Sequence, residues 1–122
     1  MASDVRADAV TGVTVVTAAG RVRVWLDDRR PAPSGWYWCR TPAEAIALIE
    51  TGGVEEVSLD HDLGLLDGDG REQTGYDVLV WIEEQLVVDG MVPPSLAVHS
   101  ANAPAHERMQ RAIDSINARL RR

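Results

Sequence analysis

The stretch Arg21-Val22-Arg23-Val24-Trp25-Leu26-Asp27-Asp28 is a β-rich run that stops on two acids. The pattern repeats outward along the chain. Val54 to Leu59 reads as another strand and ends on Asp60, and Leu96-Ala97-Val98-His99 reads as a fourth that stops at Ser100. A shorter run, Trp36-Tyr37-Trp38-Cys39-Arg40, lies between the first two.

Helices fill the intervals. Thr41-Pro42-Ala43-Glu44 is a start signal: Thr41 as cap, Pro42 in the first turn and Glu44 completing a capping box. Ala45, Ile46, Leu48 and Ile49 give that helix its buried side, and Gly52-Gly53 ends it. Thr74-Gly75-Tyr76-Asp77 opens the next, with Thr74 read as cap. Val78, Leu79, Trp81, Ile82 and Leu86 follow at helical spacing, and Gly90 closes it. The last helix follows Asn102-Ala103-Pro104, with an apolar stripe of Met109, Ala112, Ile113, Ile116 and Leu120 opposite an Arg-rich face. Residues 61–73, rich in Gly and Asp, read as a loop, and Asp67-Gly68-Asp69-Gly70 as turn chemistry. Trp36, Trp38 and Trp81 read as core residues, with Trp36 also open to a base-stacking role.

The order β-loop-β-α-β-α-β-α implies an α/β fold: a compact, mostly parallel four-stranded sheet with helices on its faces. Residues 1–20 form an N-terminal extension, read as mobile or as an edge strand, and residues 21–122 the domain. The loop at 29–35 contains Pro31 and Pro33 and excludes a regular helix. It leaves the second strand open to a parallel or an antiparallel orientation.

The 122 residues fit one domain, and a hydrophobic share of 45% supports a core. A net charge of −7 argues against general DNA binding, which needs a basic face. All twelve basic residues are Arg. Cys39 is the single cysteine, so neither an intramolecular disulfide nor a thiolate metal cluster is expected. With no leader-like N-terminus and no apolar span of bilayer length, the expectation is a cytoplasmic protein without membrane association.

In a parallel sheet, Asp27-Asp28, Asp60-His61-Asp62 and His99-Ser100-Ala101-Asn102 meet at one edge, where open α/β sheets bind ligands. Crowded carboxylates repel one another, and a hard divalent cation relieves that. Asp27, Asp28, Asp60 and Asp62 are therefore the candidate metal ligands, for Mg²⁺ or alternatively Mn²⁺. Helix N-termini at Thr74-Gly75 and Asn102 suit an anion, which together with a cation points to phosphate. His61, between two acids, is a candidate general acid. His99 is either an alternative acid–base group or a half-buried structural histidine.

Four ordered motifs carry a resemblance: Trp25-Leu26-Asp27-Asp28-Arg29, Ser58-Leu59-Asp60-His61-Asp62-Leu63-Gly64, Thr74-Gly75-Tyr76-Asp77 and His99-Ser100-Ala101-Asn102. Over residues 22–116 the chain resembles the receiver superfamily of response regulators, and within it the cyclic-phosphate processing receiver-like family. The resemblance implies a truncated receiver/flavodoxin-like fold, with the first helix replaced by a loop and the fifth strand and helix absent. It implies that Asp27 and Asp28 match the acidic pair, Asp60 the phosphoacceptor and Ser100 the phosphoryl-contacting hydroxyl. Phosphorelay receivers also use a Lys after a fifth strand, and this chain contains no Lys. Arg29 is a candidate replacement for that contact.

The expected function is metal-dependent phosphoesterase processing of a cyclic-phosphate nucleotide or RNA end. Asp60, His61 and His99 are the catalytic candidates, and Arg29, Thr74, Ser100 and Asn102 the phosphate-binding ones. The alternative is a non-catalytic receiver-like module that binds a phosphorylated ligand or a protein partner.

Overall fold

The computed structural model describes residues 21–121, so both readings of residues 1–20 lie outside the described residues. In chain order the elements are β1 (Val22–Leu26), β2 (Tyr37–Cys39), α1 (Pro42–Glu50), β3 (Val54–Leu59), β4 (Asp62–Leu66), β5 (Glu72–Thr74), α2 (Tyr76–Asp89), β6 (Ser95–Val98) and α3 (Ala103–Leu120). Four strands form a parallel sheet in the order β2-β1-β3-β6. This is the truncated receiver/flavodoxin-like α/β fold expected from the sequence. No helix among the described residues is long and apolar enough to cross a membrane.

The strands sort their side chains by alternation. Val22, Val24 and Leu26 of β1 and Val57 and Leu59 of β3 enter one core. Ala45 and Ile49 of α1, Val78, Leu79 and Ile82 of α2, and Met109, Ile113 and Ile116 of α3 join the same cluster. The opposite row pairs Trp38 with Trp25, Trp25 with Ser58, and Ser58 with Ala97. Trp36 and Trp38 therefore depart from the core assignment, while Trp81 packs against the core. Trp38 donates its ring N–H to the Asp27 carbonyl at 2.7 Å and carries the Arg40 guanidinium over its ring at 4.2 Å. A ring with one polar edge is satisfied better there than in an apolar interior.

Strand β2 is parallel to β1, which settles the orientation the sequence left open. The reading of 61–73 as a loop needs correction, because β4 and β5 form an antiparallel hairpin. Its apolar signal is confined to Leu63, which is buried, and Leu65, which packs against the core. The tip is the turn expected from Asp67: its Oδ1 accepts the N–H groups of Asp69 and Arg71.

Two caps differ in how they match the sequence. The capping box of α1 is present as read, with Glu44 and Thr41 bonded reciprocally. Helix α2 instead has Gly75 as its N-cap with no side-chain cap bond. Thr74 lies one residue earlier, at the end of β5, where its hydroxyl accepts from Tyr76 N–H and its own N–H donates to Asp77. The reason is close packing. Gly75 N–H donates to the His61 carbonyl at 3.2 Å, and a Cβ at Gly75 would land on the Asp60 carbonyl oxygen. Only glycine lets α2 start against the end of β3.

Candidate functional site

The carboxyl ends of β1, β3 and β6 open onto a cleft of about 610 Å³ lined by Asp27, Asp28, Arg29, Arg30, Pro31, Asp60, Asp62, Gly64, Glu72 and Ala101. The strand ends supply its buried side, and the β1–β2 loop and the β4–β5 hairpin its open rim. Gly64 adopts a left-handed φ of 64°, and a Cβ there would sit 3.5 Å from Asp28 Oδ2. The glycine thus lets the hairpin pass close to Asp28.

Asp27 is almost fully buried, at 2% exposure, and built into its surroundings. Its Oδ1 accepts the backbone N–H groups of Arg29 at 2.9 Å and Arg30 at 2.8 Å, turning the chain out of β1. Its Oδ2 lies 3.0 Å from His99 Nε2. Burial pushes the Asp27 carboxyl up. The backbone bonds and the His99 contact outweigh burial and hold it below its ordinary value. His99 is half-buried, and desolvation lowers its pKa despite the attraction of Asp27. Its Nδ1 lies 2.8 Å from Ser58 Oγ, and its ring stacks on Trp25 with centroids 3.7 Å apart and planes at 4°.

Asp60 moves the other way. Burial raises its pKa, the charge of Asp27 raises it further, and the His61 N–H bond to Oδ1 offsets only part. Two carboxylates so placed call for a positive partner. Ligand atoms of Asp27, Asp60 and His99 lie within 4.8 Å of one another, close enough to share one ion. The chemistry fits a hard cation: oxygen donors dominate, Asp28 faces the same cleft, and Asp60 resists ionisation without a counter-charge.

Asp62 takes a different position. It lines the cleft but outside the tight group, 2.7 Å from His61 Nδ1 through Oδ1 and 3.3 Å from Asn102 Nδ2 through Oδ2. The hydrogen bond to His61, chiefly, lowers its pKa. The carboxylate accepts from Nδ1, so Nε2 is the position at which His61 can exchange a proton. Neither His61 nor His99 is among the lining residues.

The phosphate candidates divide similarly. Arg29 lines the cleft with its side chain 91% exposed and approaches Asp28 at 3.9 Å. Asn102 caps α3 by accepting from Ala105 N–H, and Ser100 Oγ accepts from Asn102 N–H. Both lie beside Ala101, which reaches the cleft. Thr74 is buried on β5 and does not line the cleft.

Sequence reasoning passed over Arg30 and Glu72, both cleft-lining, and the contacts made by Ser58 and Trp25. Arg30 sits beside Arg29 in the loop that follows the acids, and Ser58 sits two residues before Asp60 on the same face. Glu72 carried no local signal, since its place depends on the unrecognised hairpin.

No curated protein and no solved structure matches the chain at a significant level. A family model described as the cyclic-phosphate processing receiver domain matches residues 22–115, which span all four strands of the sheet and every residue of the cleft. The chain belongs to the cyclic-phosphate processing receiver domain family.

Proposed function

We propose that the protein is a divalent-cation-dependent phosphoesterase that opens cyclic phosphates, such as 2′,3′-cyclic nucleotides or RNA ends carrying them. The observation that carries this reading is one cleft lined by Asp27, Asp28 and Asp60 together with Arg29 and Arg30. The carboxylates suit a cation, and the guanidinium forks suit phosphate oxygens.

Asp27, Asp28 and Asp60 would hold Mg²⁺ or Mn²⁺. When bound, the ion supplies charge neutralisation at the phosphate oxygens and a more acidic water. Arg29 and Arg30 grip and orient the phosphoryl group. Water attacks phosphorus and releases a proton to solvent, one ribose oxygen–phosphorus bond breaks, and the leaving oxygen takes a proton from Nε2 of the doubly protonated His61 ring, which solvent then restores. Asp62 holds the opposite ring nitrogen so that Nε2 carries the exchange. The product is a phosphomonoester.

The test is incubation of pure protein with 2′,3′-cyclic nucleotides and cyclic-phosphate-ended RNA, with Mg²⁺ or Mn²⁺. A metal-dependent phosphomonoester is expected. No product with either ion, beside a working control enzyme, would sink the catalytic reading.

One observation favours a second reading: the lining contains acids and arginines but no histidine. A non-catalytic module that captures a phosphorylated ligand would need no proton donor. It would show saturable binding without turnover and unchanged binding in His61→Ala.

A further inference from the structure

We infer that His99, fixed by Ser58 and Trp25, is a positioning residue that holds the Asp27 carboxylate with a single lone pair left for a cation, and is not itself a cation ligand. The inference rests on reading the cleft as a cation site.

Counting lone pairs and hydrogens leads there. A carboxylate only accepts, so the hydrogen in the 3.0 Å contact belongs to His99 Nε2. In the neutral ring Nδ1 then has no hydrogen and accepts from the Ser58 hydroxyl at 2.8 Å. Both ring nitrogens are thereby occupied, and neither keeps a lone pair for an ion. Although His99 lies close enough to Asp27 and Asp60 to be counted with them, its ring is committed elsewhere.

The same count restricts Asp27. Of about four acceptor sites on a carboxylate, Arg29 N–H and Arg30 N–H take those of Oδ1, and His99 takes one on Oδ2. One remains, on Oδ2. Asp27 can then bind an ion through one oxygen only, in a direction set by the His99 ring.

Several contacts hold that ring in place. It stacks on Trp25. The Trp25 Nε1–H donates to the Arg30 carbonyl at 2.9 Å, and the Arg30 guanidinium donates to the His99 carbonyl at 3.4 Å. His99 N–H is tied to the Leu59 carbonyl at 2.9 Å. Trp25, Arg30, Asp27 and His99 thus form a closed circuit, with Ser58 occupying the remaining ring nitrogen from behind. Ser58 is 7% exposed and does not line the cleft, so it is not placed to attack a substrate. Hydrogen-bonding partners behind metal-binding groups typically contribute 10- to 100-fold in affinity.

Three measurements test this. In metal-free protein at neutral pH, ¹⁵N-histidine NMR should find His99 as the Nε2–H tautomer, in the wild type and in Ser58→Ala alike, because Asp27 fixes it. An Nδ1–H tautomer in the wild type would overturn the inference. Pulsed EPR of the Mn²⁺-loaded protein should show no directly bound histidine nitrogen, and a strong ¹⁴N coupling that disappears in His99→Gln would overturn it too. By titration, His99→Phe, which keeps the stack and loses both hydrogen bonds, should weaken Mn²⁺ binding roughly 10- to 100-fold. His99→Gln, which can donate to Asp27 and accept from Ser58, should recover most of that. Equal losses in Phe and Gln variants that melt like wild type would count against positioning. If wild type binds no Mn²⁺, the cation reading fails, and with it the role assigned to Asp27. The tautomer result then reports only whether the Asp27–His99–Ser58 order is real.

Discussion

The two walls of the cleft are built on opposite terms. On the β1–β6 side, Asp27 is buried with the half-buried His99 behind it, and the carboxylate oxygens of Asp27 and ring nitrogens of His99 have partners within 3.0 Å. On the rim and hairpin side, Arg29 is almost fully exposed and Glu72 is an exposed acid. Desolvated, fully paired polar groups keep their geometry before a ligand arrives, and a cation site benefits from that. Solvated side chains remain adaptable and set charge complementarity at little structural cost. The first wall is expected to fix the chemistry, and the second to choose the ligand.

The sharpest way to break this contrast is Gly75→Ala. A Cβ against the Asp60 carbonyl must displace either α2 or the end of β3. A loss on the order of 3 kcal/mol or more is expected, read as a lower and broader thermal transition. Asp27→Asn comes next. An amide can satisfy at most part of what Oδ1 and Oδ2 now accept, and a loss of about 1–3 kcal/mol is expected in chemical denaturation.

The pH dependence separates Asp27 from Asp60. The native pKa of Asp27 is depressed, so its contribution is present above the unfolded-state value and is lost as pH falls through the folded one. Asp60 is raised, so the native state holds its proton more tightly than the unfolded chain. Its effect is therefore a destabilisation that appears as pH rises through the window from the ordinary carboxylate value to the raised one. Asp60→Asn should raise the metal-free melting temperature by a few degrees at pH 7, with the gain shrinking toward zero below that window. It should also abolish turnover. A variant no more stable at pH 7 would show that the crowding of acids is not felt.

The open wall should respond weakly in stability and clearly in binding. Arg29→Ala is expected to leave stability within about 0.5 kcal/mol while raising KM for a cyclic phosphate, or Kd if no turnover occurs. The smallest effect belongs to Glu72→Gln: neutral in melting temperature, with tighter binding of an anionic ligand at low salt that fades as salt screens the rim. Comparable stability losses for Arg29→Ala and Asp27→Asn would remove the distinction between the walls.

Much of the fold was legible because its signals are local. The capping box at Thr41-Pro42-Ala43-Glu44, the apolar run of β3 and the stripe of α3 each declare themselves within a few residues. The hairpin was not legible, because only Leu63 and Leu65 carry its inward pattern and their partners lie across a turn. Among the site residues, the acids at strand ends could be read from position. The bond of Asp62 to neighbouring His61 follows from adjacency in the chain, whereas its bond to Asn102 joins separate elements and leaves no local signal.

By itself, the sequence determined a parallel α/β domain with its chemistry at the strand ends, because strand and helix periodicity and end signals are short-range properties of the chain. Only the tertiary structure decided that Ser58, Trp25 and His99 stand behind Asp27, and that Arg30 and Glu72 line the same cleft. Those relations join residues far apart in sequence through strand register and ring stacking, and neither leaves a trace in local pattern.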